Sequence, residues 1–282
     1  MDTSQPELDR KLHRLEAEIV RLGSALIAYS GGTDSAFLAF TAHRVLGDRM
    51  LAVIADSASL PRRELAAALA FAEQHRIPLQ VLQTAELDDP SYVRNDAQRC
   101  FHCKDELFTR MEQARRQLGF AALAYGRNLD DDGDFRPGQQ AAAQHHAAAP
   151  LATAGLTKAD VRALARRAGL TLADKPASAC LASRLPYGTP VSAKNLSQIE
   201  QAEDALHDIG FPQVRVRHHG ELARIEIARE DLASALSLEA LDAITAALKP
   251  IGFLYIALDT QGYRSGSMND ALIAVEAIAA AK

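Results

Sequence analysis

Short apolar runs that stop at turn residues alternate with segments of helical spacing through the first half of the chain. No other feature restricts the fold as much. Leu8, Leu12, Leu15, Ile19 and Leu22 step by four and three, which is one apolar face of a helix ending near Gly23. Ser24 to Tyr29 (SALIAY) then form an apolar run stopped by Ser-Gly-Gly, after which Phe37, Leu38, Phe40 and Val45 recover helical spacing. Met50 to Ala55 and Pro78 to Leu82 read as strands, Arg62 to Gln74 and Asp105 to Leu118 as helices, and Ala121 to Tyr125 as a further strand. Strand and helix in strict alternation predict a doubly wound α/β domain, with a parallel sheet and helices on both faces.

The character changes near Pro186. Lys158 to Ala168 is a helix that follows Thr157, a natural cap, and ends at Gly169. Beyond it, Val191 to Ile209 reads as a helix, Gln213 to His218 and Leu222 to Ile227 as alternating strands around His219-Gly220, and Leu232 to Leu248 as another helix. Phe253 to Leu258 reads as a strand before an Ala-rich terminal helix. This division predicts a first domain over residues 1–190 and a smaller α+β domain over 191–282.

Lys plus Arg total 31 against 36 Asp plus Glu, a net charge of −5 that argues against a nucleic-acid coat. No run approaches ~18 consecutive apolar residues and the first twenty or so positions are charged throughout, so the chain reads as cytoplasmic, with no membrane partner. Three cysteines do not make a disulfide framework and are read as chemical groups or core thiols.

Ser30-Gly31-Gly32-Thr33-Asp34-Ser35 lies between the first strand and its helix, where two glycines let backbone N–H groups close around an anion at a helix N-terminus. Ser30 and Ser35 add hydroxyls, and Asp34 is placed to hold a Mg²⁺ bridging phosphates. No lysine follows, so this is not the GxxxxGK[ST] loop, and no GxGxxG is present. Ser-Gly-Gly alone is ordinarily a turn. The whole pattern arises by chance on the order of once in a thousand chains of this length, taking ordinary residue frequencies. The hexapeptide resembles the SGGxDS signature of the PP-loop ATP pyrophosphatases, adenine nucleotide alpha hydrolase-like proteins that split ATP into AMP and pyrophosphate and adenylate a substrate oxygen.

Cys100 and Cys103 form a CxxC within RCFHCK, and Cys180 stands in KPASACLASR. A lone CxxC is as often inert as it is a redox pair or half a metal site. Lys175 and Arg184 flank Cys180 in sequence and favour its thiolate. Together the three thiolates can hold a 4Fe–4S cluster with one iron open. With these segments in place, RCFHCK, GRNLDD with FRPG, KPASACLASRLPYG, RVRHHGELARIEI and LDTQGYRSGSMN join the phosphate loop, and the chain resembles the LarE-type sulfur transferases through most of its length.

The resemblance implies ATP-dependent conversion of a carboxylate of pyridinium biscarboxylic acid mononucleotide to a thiocarboxylate, in assembly of the nickel-pincer nucleotide cofactor. Catalytic roles fall on Cys180 and Asp34. Nucleotide contacts fall on Ser30, Gly31, Gly32, Thr33, Asp34, Ser35, Asp56, Ser57, Gly126, Asn128 and Asp131. Arg184, Arg215, Arg217, Arg224, Tyr263, Arg264 and Ser265 are expected to hold the substrate, and Glu203 and Glu226 a divalent ion. The presence of Cys100, Cys103 and Cys180 favours sulfur carried by a 4Fe–4S cluster over donation by Cys180 itself. ATP, Mg²⁺ and the cluster are thus the expected cofactors. A homo-oligomer built from dimers, up to a hexamer, and other proteins of nickel-pincer cofactor synthesis are the expected partners. The rival reading is a PP-loop enzyme thiolating tRNA, which the lack of a basic surplus opposes. His145-His146 and His218-His219 are read as ordinary polar residues, because neighbours in regular structure diverge and cannot chelate together.

Overall fold

The computed structural model describes residues 4–131, 137–176 and 179–264, and these divide into two compact units. The first takes Met1–Tyr92 and Ala97–Ser178, and the second takes Val93–Asp96 and Ala179–Lys282. The change of unit therefore falls near residue 178, ahead of the change in sequence character near residue 190. The second unit also includes a short piece of earlier chain: the Asn95 amide donates to the Pro186 and Thr189 carbonyls, both at 2.8 Å.

In the first unit the chain runs α1 (Gln5–Arg21), β1 (Ala25–Ala28), α2 (Thr33–Leu46), β2 (Met50–Asp56), α3 (Arg62–Gln74), β3 (Leu79–Gln83), α4 (Pro90–Val93), α5 (Arg99–Leu118), β4 (Ala122–Tyr125), α6 (Pro137–Gln144), α7 (Pro150–Thr153) and α8 (Lys158–Arg167). The strands form a parallel sheet in the order β3-β2-β1-β4, so the fold is α/β as the alternation requires. Successive side chains of a strand point to opposite faces, and both faces here are covered. Ala25 and Ile27 of β1, with Met50, Ala52 and Ile54 of β2, pack against α1, α2 and α8. Leu26 and Ala28, with Val53 and Leu123, pack against α5 and α6. Burial on both sides explains why β1 reads as continuously apolar rather than alternating.

Helix ends follow local chemistry. The α8 N-terminus is a capping box in which Thr157 and Asp160 satisfy each other's backbone N–H groups. The first turn of α5 begins at Arg99, six residues ahead of the expected start, and so carries both Cys100 and Cys103. No cap residue marks that start, since Gln98 makes no side-chain cap bond.

The second unit contains α9 (Ala193–Ile209), β5 (Val214–His219), β6 (Leu222–Ile227), α10 (Leu232–Ala235), α11 (Leu238–Leu248) and β7 (Tyr255–Leu258). The strands β5 and β6 form an antiparallel hairpin through His219-Gly220, where Gly220 takes φ +67°, and β7 adds parallel to β6. One face of this sheet, from Val214 and Val216 to Ile225 and Ile227, packs with Leu206 of α9 and Ile244 and Leu248 of α11. The helix expected over Leu232 to Leu248 is broken at Ser237, whose hydroxyl accepts the Ala240 N–H and starts α11 afresh. The Ala-rich terminal helix expected from the sequence lies outside the described residues.

Candidate active site

In a sheet ordered β3-β2-β1-β4, the chain leaves β1 to one side for β2 and later returns to the other side for β4. The crevice at the carboxyl ends of β1 and β4 is therefore the topological switch point where such sheets bind ligands. Ser30–Ser35 follows β1 and Gly126–Asp131 follows β4, so both expected segments meet there. Their approach is close: a Cβ on Gly126 would sit 2.7 Å from both the Ser35 Cα and the Ser35 backbone nitrogen. Only glycine fits at that position.

Gly31 takes φ +73°, and a side chain there would meet the Ala68 Cβ at 2.7 Å. The loop is cross-tied. The Ser30 N–H donates to Ser35 Oγ at 3.1 Å, the two serine hydroxyls lie 3.1 Å apart, and Ser35 Oγ donates to the Gly32 carbonyl at 3.0 Å. Thr33 turns its hydroxyl away from the loop and donates to the Leu172 carbonyl at 2.9 Å, leaving only its backbone for an anion.

Asp34 is the strained member of this group. Its Oδ1 is buried without a hydrogen-bond partner. Burial raises its carboxyl above the ordinary range. The Lys158 charge opposes that rise, the Asp131 carboxylate adds to it, and the Asn128 amide and the Arg162 charge oppose it again. Asn128 is itself buried and shapes the turn: its Oδ1 accepts the Asp130 N–H at 2.9 Å, and Asp131 Oδ2 accepts the Asn128 N–H at 3.1 Å. A carboxylate oxygen without a hydrogen bond, close enough to a second carboxylate to feel its charge, fits a Mg²⁺ ion, which takes one or two protein carboxylates and completes its shell with phosphates and water. Lys158 and Arg162, on the first turns of α8, escaped the sequence reading; their spacing of four places both on one face of that helix, but nothing in the sequence turns that face toward Asp34.

Asp56 and Ser57 stand at the end of β2 but are engaged elsewhere. Asp56 pairs with Arg62 and accepts from Gln83 Nε2 at 2.7 Å, contacts that hold its carboxyl below the ordinary range. Ser57 donates to the buried Glu86 carboxylate and accepts the Ser59 N–H at 3.0 Å. Reaching a nucleotide would require both to change partners. Lys175, expected beside Cys180, gives its ammonium to Glu64 at 2.6 Å and to the Gly31 carbonyl at 3.1 Å.

In the second unit, Cys180 is partly buried at the head of a short 3-10 turn, Leu181–Arg184. Arg184, 1% exposed, bonds the Ala179 and Cys180 carbonyls at 2.6 and 2.9 Å through Nη1. Its Nε and Nη2 form a bidentate pair with Glu203, both at 2.9 Å. Glu203 also accepts the Val216 N–H at 3.0 Å. On the polar face of the sheet, Arg217 donates to the Ser183 carbonyl at 3.2 Å and pairs with Glu226 at 2.6 Å, while Arg224 bridges Glu226 at 3.3 Å and Asp259 at 2.5 Å.

Glu203 and Glu226 were expected as ligands of a divalent ion. In the structure both are ion-paired, Glu203 with Arg184 of the 3-10 turn and Glu226 with Arg217 and Arg224 of the sheet, the compensation that buried guanidinium groups require. Arg215 is the exception among the described residues. It has no carboxylate partner, bonds only its neighbour's Val214 carbonyl at 2.7 Å, and lies 5.3 Å from the Tyr263 ring centre. Burial, followed by the Arg184 charge, pulls its guanidinium below the ordinary arginine value. Arg264 is exposed, and Ser265 lies outside the described residues.

Cys100 is exposed and Cys103 partly buried, one helical turn apart at the start of α5, with Arg99 Nη2 3.9 Å from Cys100 Sγ. Among the described residues no group of three or more His, Cys, Asp or Glu side chains is placed to hold a metal ion. His145 contacts Asp105 at 2.8 Å, and His218 contacts Gln198 at 3.2 Å.

No family model matches the chain. Curated relatives do. An uncharacterized protein of Synechocystis is 39% identical over 94% of this chain and 99% of its own length. The pyridinium-3,5-bisthiocarboxylic acid mononucleotide synthase of Lactiplantibacillus plantarum is 36% identical over 94% of this chain and 96% of its own. An uncharacterized protein of Methanocaldococcus jannaschii is 25% identical over 85% of this chain and 90% of its own.

Proposed function

The chain belongs to the LarE-type sulfur transferase family, and from that premise we propose that it uses ATP to convert a carboxylate of pyridinium biscarboxylic acid mononucleotide into a thiocarboxylate for the nickel-pincer cofactor. The similarity to the L. plantarum synthase, which runs nearly end to end in both chains, carries this reading.

A carboxylate oxygen is a poor leaving group, so the acid is first activated. The carboxylate attacks the α-phosphorus of ATP, pyrophosphate departs, and an acyl adenylate forms. The backbone and hydroxyls of Ser30–Ser35 receive the phosphates, in the manner of a helix N-terminus. Asp34 and Asp131 would hold a Mg²⁺, which would supply neutralisation of charge on the phosphates. The Cys180 thiolate then attacks the acyl carbon and AMP leaves, giving a thioester. Arg184 positions this nucleophile by fixing the carbonyls of Ala179 and Cys180. Loss of the proton from the cysteine Cα and rupture of its Cβ–S bond release the thiocarboxylate and leave dehydroalanine in the chain. Arg215, which forms no direct ion pair among the described residues, meets the anionic groups of the substrate.

A second reading is favoured by Cys100 and Cys103 lying one turn apart at the start of α5: with Cys180 they would hold a 4Fe–4S cluster, which would supply the sulfur in place of the cysteine. Incubation with ATP, Mg²⁺ and the pyridinium nucleotide, followed by mass spectrometry, tests both. A gain of roughly 16 per exchanged oxygen in the nucleotide establishes thiolation, and a loss of roughly 34 in the protein selects Cys180 as the donor, these being the atomic mass differences of the covalent steps. Thiolation with an unchanged protein mass, and with iron and acid-labile sulfide present after anaerobic purification, selects the cluster. Pyrophosphate release that needs no acceptor and yields no thiocarboxylate refutes the proposal.

A further inference from the structure

Glu86 is a buried titratable group that no step above uses. It is 3% exposed just beyond the carboxyl end of β3, and its carboxylate forms no ion pair among the described residues. A carboxylate taken out of water is costly unless hydrogen bonds compensate it. Its partner is Ser57, just beyond the carboxyl end of β2, whose hydroxyl donates to Glu86 Oε1. As a carboxylate Glu86 only accepts, so it takes the one proton of Ser57 and leaves the Ser57 oxygen to receive the Ser59 N–H at 3.0 Å.

The turn that follows is tied at several points. The Leu60 N–H donates to the Ser57 carbonyl at 3.0 Å, and Arg62 Nη2 donates to the Ser57 and Leu60 carbonyls, both at 2.7 Å. The Ser59 hydroxyl is bonded to that of Tyr92, which is itself buried. Ser57 and Ser59 are therefore drawn inward, and Ala58 between them is the exposed crest of the turn. Because β2 lies beside β1, this crest stands at the same edge of the sheet as the phosphate loop, the edge at which such sheets bind ligands.

We propose that Glu86 is a positioning residue of the nucleotide site: through Ser57 it fixes the 57–60 turn, whose Ala58 crest, rather than the Ser57 hydroxyl, meets the adenosine half of ATP. The phosphates go to the N-terminus of α2, and the turn on the next strand is left for base and ribose. A turn held in its bound form beforehand has less freedom to lose on binding. The inference rests on the nucleotide reading above and adds a residue that itself touches no ligand.

Equilibrium binding of ATP, AMP and inorganic pyrophosphate to the intact protein with Mg²⁺ separates the outcomes, since pyrophosphate lacks the part of the nucleotide that the turn is assigned. Glu86→Met keeps the volume and removes the acceptor. It is expected to weaken ATP and AMP by the same factor, about five- to thirtyfold, the scale of one hydrogen bond to a charged group, and to leave pyrophosphate within about twofold of the original. Glu86→Gln, whose carbonyl can still accept the Ser57 proton, should restore most of the affinity. Ser57→Ala should lose as much as Glu86→Met, and the double variant no more than either alone, because the two residues act through one contact. Equal losses for pyrophosphate and AMP in Glu86→Met would make Glu86 a general support of the fold, and unchanged AMP affinity would remove it from the site; either overturns the proposal, as do additive losses in the double variant. If Glu86→Met does not fold, Ser57→Ala decides: AMP affinity kept, or lost together with pyrophosphate, overturns the proposal. Failure of the unaltered protein to bind ATP or AMP refutes the nucleotide reading itself, a result distinct from all of these.

Discussion

The phosphate-loop unit and the arginine-bearing unit solve opposite electrostatic problems. Around Asp34 a carboxylate is left with a buried oxygen that nothing satisfies, beside a second carboxylate. Around Arg184 nearly every buried charge is cross-paired, with Glu203, Glu226 and Asp259 set against Arg184, Arg217 and Arg224. The first leaves one carboxylate oxygen without a hydrogen bond even though the Lys158 and Arg162 charges act on it. The second is ion-paired throughout except at Arg215, which forms no direct ion pair among the described residues. The difference lies in pairing: the second unit matches its buried charges by direct ion pairs, and the first leaves a carboxylate oxygen without a direct partner.

Substitutions can break that contrast. The largest effect is expected for Asp34→Asn: pyrophosphate release should fall by about a hundredfold or more, which corresponds to about 2.7 kcal/mol in the barrier, and added Mg²⁺ should not restore it. Stability should move the other way. A carboxyl whose folded value is raised stabilises the fold below the ordinary carboxylate range, and that contribution is lost as pH rises through its raised value. At neutral pH the ligand-free protein therefore carries the cost of an ionised Asp34, and the asparagine variant should melt at a higher temperature, with the gap shrinking as pH falls. A lower melting temperature for the variant at neutral pH would contradict the assignment.

Arg184→Met should act on stability first. Removing one partner of a buried bidentate pair leaves Glu203 charged and unpaired, a loss of about 3–5 kcal/mol to be read from urea unfolding. Arg215→Met lacks that consequence. Its stability should stay within about 1 kcal/mol of the original, while affinity for the pyridinium nucleotide drops about tenfold or more and ATP affinity holds. Equal destabilisation by the two arginine variants would erase the distinction drawn between them. The smallest effect belongs to Tyr263→Leu, which removes the ring beside Arg215 and a contribution of about 0.5–1 kcal/mol. A few-fold rise in KM for the nucleotide, without change in kcat, is the expected reading.

Much of the first unit was legible because its signals are local. Thr157 with Asp160 announces the start of α8, and Ser-Gly-Gly after an apolar run announces a strand-to-helix turn. The two-sided burial of β1 follows from its unbroken apolar composition. Where local signals are weak, the reading slipped: α5 begins without a capping residue, and Ser237 sits in a stretch apolar enough to look like one helix. The parallel pairing of β7 with β6 has no local signature at all, since the intervening chain only has to span the distance.

The sequence by itself determined the α/β architecture and the Ser30–Ser35 turn between β1 and α2. These depend on spacing along the chain, through strand and helix periods and the backbone freedom of glycine. Tertiary structure alone decided the partners of each charge: Lys158 and Arg162 acting on Asp34, Lys175 on Gly31 and Glu64, and Glu203 and Glu226 paired with buried arginines. Coulomb energy depends on distance through space and on burial, and residues far apart in the chain acquire both only when the core has packed.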